Sequence, residues 1–197
     1  MLILKVDQRN LKTIVIIMVK SIKQGEVVVC PTDTVYGLIA DATNEKAVKK
    51  LLKIKKRNTQ KPIPIFVKDI KIAKKFALIN KNQEKFLKKV WPGKVTVVLK
   101  RKGKLPRILF RNKKTIGLRI PDYKIINQLL LIINRPLTGT SANISGQPPS
   151  TKIKEVISQF KNQKFQPDLI IDAGNLPKSK PSIVLDLTTS PTKILRK

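Results

Sequence analysis

The chain contains no histidine and a single cysteine, Cys30, in 197 residues. Without imidazole, Ser-His-Asp and Cys-His catalysis, HExxH zinc sites and histidine acid–base chemistry are all excluded. One thiol can form neither an internal disulfide nor a zinc site, so Cys30 reads as a small core residue at the end of a strand. Acids are scarce as well: Asp33, Asp122, Asp172 and Asp186 are scattered and form no convincing pair. Aromatic residues at 5% leave no interleaved stacking platform of the kind that binds single-stranded nucleic acid. No apolar run approaches a membrane span, since Lys12 and Lys20 bracket the longest early one, and Met1–Val6 is too short for the apolar region of a signal peptide. The expectation is a cytoplasmic protein with no membrane association. Neither a repeat nor a linker interrupts the sequence, so a single domain over residues 1–197 is expected.

What is present is basic. Lys+Arg at 42 against Asp+Glu at 12 gives a net charge of +30, which predicts affinity for polyanions such as nucleic acid or nucleotide. The excess is mostly lysine spread along the chain with many Ile and Asn, so it also fits an AT-rich coding sequence rather than one selected groove.

Leu11, Ile14, Val15, Met18, Val19 and Ile22 recur at helical spacing and stop at Gly25, which predicts an amphipathic helix over residues 9–24. Glu26–Cys30 reads as a buried strand. A second helix runs from Thr43, a suitable N-cap, through Ala47, Val48, Leu51 and Leu52 to a basic end at residues 53–57. Further strands are expected at Ile63–Val67, Val95–Lys100, Thr115–Ile120, Leu169–Asp172 and Ile183–Leu187, with helices near 70–90, 123–133 and 151–160, the last capped by Ser150 or Thr151. Strands alternating with helices predict an α/β fold with covered sheet faces.

Three stretches place polar groups where a plain turn would serve folding. PTDTVYGL, at 31–38, leaves the first buried strand through two threonines and an aspartate, and strand ends in α/β sheets are where ligand groups are displayed. Lys55, Arg57 and Lys61 gather cations at a helix C-terminus, where they also suit the helix dipole. Residues 138–146, TGTSANISG, offer backbone N–H groups and hydroxyls suited to phosphate, although they match neither the Walker nor the dinucleotide glycine pattern. Together they favour a phosphate or nucleotide site.

PTDTVYGL, Lys55-x-Arg57, WPGKVTVVL at 91–99, GLRIPD at 117–122, TSANISGQP at 140–148 and KILR at 193–196 occur in one order. In that order they resemble the YrdC/Sua5 family, over about residues 10–196. The resemblance implies an open, twisted, mostly mixed sheet flanked by helices, with a concave basic face. It implies an enzyme that condenses L-threonine, bicarbonate and ATP into L-threonylcarbamoyladenylate and pyrophosphate, with Mg²⁺ entering on the ATP and no tightly bound organic cofactor. Partner proteins of the pathway would then move the threonylcarbamoyl group to N6 of adenosine 37 in tRNAs reading ANN codons. The chain ends just after the KILR motif, so the short form without the C-terminal Sua5 extension is expected.

By the same resemblance Lys55, Arg57, Ser141 and Asn143 form the catalytic set. Lys55, Arg57, Lys61, Thr115, Asn143, Thr151 and Arg196 would hold ATP; Thr34, Arg119, Ser141 and Ser182 would hold threonine, with Arg119 as a fork for its carboxylate. Alternatives stay open at several positions: Arg119 can pair with Asp122, Asn143 can occupy a left-handed loop conformation, and Trp91 can pack rather than stack on a base. Phe66, Asn58 and Ile183 stand where many relatives have His, Pro and Thr, which bears on threonine selectivity. The rival reading is a non-catalytic double-stranded RNA or ribosome-binding module using the same basic face.

Overall fold

A computed structural model describes residues 1–57, 62–110 and 113–197. Its elements run β1 (Leu2–Lys5), α1 (Leu11–Lys23), β2 (Val28–Cys30), β3 (Gly37–Ile39), α2 (Glu45–Ile54), β4 (Ile65–Phe66), α3 (Ile70–Phe76), α4 (Lys81–Val90), β5 (Val95–Lys100), a 3₁₀ turn (Arg107–Leu109), β6 (Thr115–Arg119), α5 (Lys124–Ile133), β7 (Leu137–Thr138), β8 (Thr140–Ser141), α6 (Ile153–Lys161), β9 (Leu169–Asp172), β10 (Ile183–Asp186) and β11 (Lys193–Arg196). The strands form two mixed sheets rather than one: β1-β9-β2-β3-β8 and β11-β10-β5-β6-β4-β7. The chain crosses between them at Gly139, which separates β7 from β8.

The five-stranded sheet is buried on both faces at its inner strands β9, β2 and β3, while the edge strand β1 is exposed. At β2, Val29 and the preceding Val27 belong to one core cluster while Val28 and Cys30 belong to the other, and β9 divides Ile170 from Leu169 and Ile171 in the same way. Period-two alternation with apolar residues on both faces explains why these strands read as continuous hydrophobic runs. Helices α1 and α5 cover the second face with Ile14, Met18, Ile126 and Leu129.

At β5 and β6 the six-stranded sheet has one face in the core and the other on a cavity. Val97 and Leu99 of β5 and Ile116 and Leu118 of β6 enter the core with Leu87 and Trp91. The alternate positions Thr96, Val98, Thr115, Gly117 and Arg119 point the other way and line an open cavity.

Several local expectations are corrected. The segment 70–90 is two helices: the first stops at Phe76, where Ala77 turns extended and bridges Arg101, and Asn80 starts the next, its side chain accepting from Gln83 N–H while the Gln83 side chain accepts from Asn80 N–H. Asn80→Ala removes this reciprocal cap and is expected to cost about 1 kcal/mol in urea unfolding. Helix α2 is capped by Asn44, not Thr43, whose hydroxyl instead donates to Asp41. Ser150 lies two residues before Lys152, the N-cap position of α6: its hydroxyl accepts from Lys152 N–H and donates to Glu155, while Thr151 makes no cap. Trp91 packs in the core with its indole N–H on Val95 O, so it is not a stacking platform. No helix among the described residues is long and apolar enough to cross a membrane.

Candidate active site

Helix α2 ends with Lys55 in helical conformation and Lys56 in the left-handed region at φ 47°, a turn that swings Arg57 away from the helix axis. Lys55 points into the TGTSANISG loop and is only 3% exposed. Its ammonium donates to Ser141 O at 2.6 Å, Asn143 Oδ1 at 2.8 Å and Asn143 O at 3.1 Å, so the three protons are all used on that loop. Asn143 is equally committed: its amide oxygen also accepts from Ser141 Oγ at 2.6 Å, and its NH₂ donates to Ile144 O and Gln147 O. The left-handed alternative for Asn143 is excluded, since its φ is not positive. Lys55 and Asn143 therefore brace the loop from beneath, and neither lines the cavity.

Burial first, and the nearby Arg57 guanidinium second, pull Lys55 down from 10.5 to about 7. Between those values the unfolded chain holds a proton that the folded chain releases, so this group makes stability rise with pH above about 7. Buried Cys30, pushed above its ordinary 9.0, acts with the opposite sign once unfolded thiols ionise. The expected result is a rise in urea stability between about pH 7 and 8.5, absent in Lys55→Met; a flat wild-type profile there would contradict the buried, depressed lysine.

The cavity, about 700 Å³, opens between the two sheets. Among the described residues its lining includes Arg57, Lys113, Arg119 and Arg196 against a single acid, Asp186, and adds the hydroxyls of Thr32, Thr34, Thr96, Thr115, Thr140, Ser141 and Ser182. Such a concentration of cations and hydroxyl groups on a low-dielectric floor suits a substrate with several anionic groups.

Arg57 donates to Pro62 O at 3.0 Å and to Thr140 Oγ1 at 3.3 Å, which holds the guanidinium against the Ser141 loop. Arg119 pairs with Asp33, not Asp122, at 2.7 Å, with side-chain exposures of 4% and 6%. Its Nε donates to Gly93 O, so the N–H groups left for a ligand are those of Nη1 and the second proton of Nη2. Arg196 donates through Nε and Nη2 to Ser182 O, and Ser182 Oγ lies 2.9 Å from Thr96 Oγ1.

The hydroxyls at the opening motif can be assigned by proton counting. Thr32 Oγ1 gives its one proton to Val35 O at 2.6 Å, so in its 3.1 Å contact with Thr34 Oγ1 the donor is Thr34. Thr34 thus presents only lone pairs to the cavity and accepts from a ligand N–H or O–H.

Arg57, Thr34, Thr115, Arg119, Ser141, Ser182 and Arg196, separated in sequence, all meet at this cavity. Thr151 does not line it, and Lys61 lies outside the described residues. Sequence reasoning missed Asp33 as the partner of Arg119, and Thr96, Lys113 and Thr140 on the cavity wall. Thr96 was signalled only by its period-two relation to the apolar Val95–Lys100 run.

Residues 20–197 match the Sua5/YciO/YrdC family model, described as telomere recombination. The chain belongs to this family. A protein of Methanocaldococcus jannaschii is 38% identical to it over 185 residues, covering 94% of this chain and 86% of that one. A threonylcarbamoyl-AMP synthase of Yersinia enterocolitica is 35% identical over 144 residues, covering 72% of this chain and 76% of that one. Among solved structures, Pyrococcus abyssi Sua5 complexed with L-threonine superposes with a TM-score of 0.92 at 33% identity over 100% of this chain. The chain spans 57% of that protein's length.

Proposed function

We propose that this member of the family is a threonylcarbamoyl-AMP synthase: it joins L-threonine, bicarbonate and ATP into L-threonylcarbamoyladenylate, pyrophosphate and water. The observation that most supports the reading is the convergence of Arg57, Arg119 and Arg196 with Ser141 and Thr34 on one cavity, in a chain whose relatives include named synthases of this kind.

Threonine's amine and bicarbonate form a carbamate with loss of water; a carbamate oxygen then attacks the α-phosphorus and the bond to pyrophosphate breaks. Both partners are anionic, so the work is neutralisation and alignment rather than proton transfer by imidazole. Arg57, Lys113 and Arg196 supply charge for the phosphates, and Thr115 lies on the same wall. Ser141 gives its proton to Asn143, so it turns lone pairs to the cavity, while Lys55 and Asn143 keep the loop in place. Arg119 receives the amino acid carboxylate on its remaining N–H groups, and Thr34 accepts from the ammonium or hydroxyl.

Among the described residues no cluster of three acids, Cys or His could hold a metal. Mg²⁺ would enter on the triphosphate it accompanies, in keeping with its habit of binding through substrate phosphates. The adenylate serves threonylcarbamoyl transfer to tRNA by other proteins of the pathway. Pyrophosphate release that requires ATP, Mg²⁺, L-threonine and bicarbonate together is the test; release without threonine would point to a different acceptor.

A further inference from the structure

The strand β4 ends in Phe66, whose Cα is in register with Arg119 of β6 on one side and Leu137 of β7 on the other. The residue is 4% exposed, yet it lines the cavity. Opposite it lies Gly139, the point where the chain passes from one sheet to the other. A Cβ built on Gly139 would lie 2.4 Å from Phe66 Cε1, 2.5 Å from Cδ1 and 2.7 Å from Cζ, so the ring occupies the volume a side chain would need. The glycine cannot retreat, because its N–H is held by Pro64 O at 2.8 Å. Arg119 Cζ stands 5.8 Å from the centre of the same ring.

We infer that Phe66, seated on the bare backbone of Gly139, is the specificity wall for the amino acid: it selects short β-substituents by their methyl group and excludes γ-branched ones. The inference rests on the proposed reading of the cavity and deepens it. A carboxylate on the free N–H groups of Arg119 places its α- and β-carbons over the ring. A phenyl face offers a hydroxyl neither proton nor lone pair, so the substrate hydroxyl must turn to the opposite side, where Thr34 presents lone pairs. The β-methyl is left to the ring, and one methyl in an apolar contact is worth roughly tenfold or more in selection. Further branching meets a ring that is wedged from behind.

The test is equilibrium dialysis of L-threonine, L-serine and L-leucine against the full chain, its Phe66→Ala variant and its Gly139→Ala variant, with pyrophosphate release by the wild type read in parallel. The expected wild-type preference for threonine over serine is about tenfold, with leucine weaker still. Phe66→Ala should bring the threonine-to-serine ratio close to one and raise leucine relative to threonine at least tenfold. Gly139→Ala pushes the ring into the cavity and should weaken threonine at least tenfold while the circular dichroism spectrum stays unchanged; this variant keeps the inference testable if Phe66→Ala fails to fold. An unchanged amino acid order in the folded variants, or no amino acid binding by the wild type, would overturn it. Threonine-dependent pyrophosphate release with no dependence of selectivity on the wall would remove the inference and leave the function; wall-dependent binding without pyrophosphate release would do the reverse.

Discussion

Arg57→Ala is expected to slow threonine-dependent pyrophosphate release by about 10²–10³-fold, the usual loss when one preorganised charge on a reacting oxygen is removed. Arg57→Lys should recover little, because an ammonium cannot reproduce the planar fork that reaches a carbonyl and a hydroxyl at once. Turnover is measured at saturating ATP, with thermal unfolding of the same samples as the control. Near-normal turnover in Arg57→Ala would take the phosphate role away from this residue.

The second large effect is at Arg119. Arg119→Ala leaves Asp33 buried without its partner and should destabilise the protein by about 3–5 kcal/mol in urea unfolding. Exchanging both members of the pair, Arg119→Met with Asp33→Leu, should recover most of that stability, because two buried charges are then removed together. Threonine-dependent turnover should stay lost in both variants. That split separates two duties of Arg119: its pair with Asp33 is structural, whereas its remaining N–H groups are the ones proposed to hold the carboxylate. A stable double variant that still turns over threonine would contradict the second duty.

Much of this arrangement was legible in the sequence, for physical reasons that can be named. Strands buried on both faces announce themselves as unbroken apolar runs, so β2 and β9 were visible, and α1 was visible from its 3.6-residue period. The division into two sheets was not, because the segment that creates it consists of two strands of two residues each, joined at Gly139, and reads as a loop. The break between α3 and α4 was hidden by apolar residues that continue past it; the cap formed by Asn80 and Gln83 was the available sign.

At the site, the motifs named most of the residues that converge on the cavity but not how each is used. Sequence marks Lys55 as a cation, yet its three protons meet carbonyl and amide oxygens of residues 141 and 143, so it holds the loop rather than facing the open cavity. Nor does the sequence disclose that Asp33, 86 positions away, takes one arm of Arg119. Both facts depend on loop and helix-end side chains brought together by the tertiary fold, which no local spacing encodes.

Joining a carbamate to adenylate in this basic cavity releases pyrophosphate. Pyrophosphate release by the purified chain, with ATP and Mg²⁺ present and with threonine and bicarbonate supplied singly and together, tests it most directly. Release only when both are supplied is the result expected. Folded protein that releases no pyrophosphate in any combination would contradict the account and return the weight to a basic face that binds RNA without chemistry.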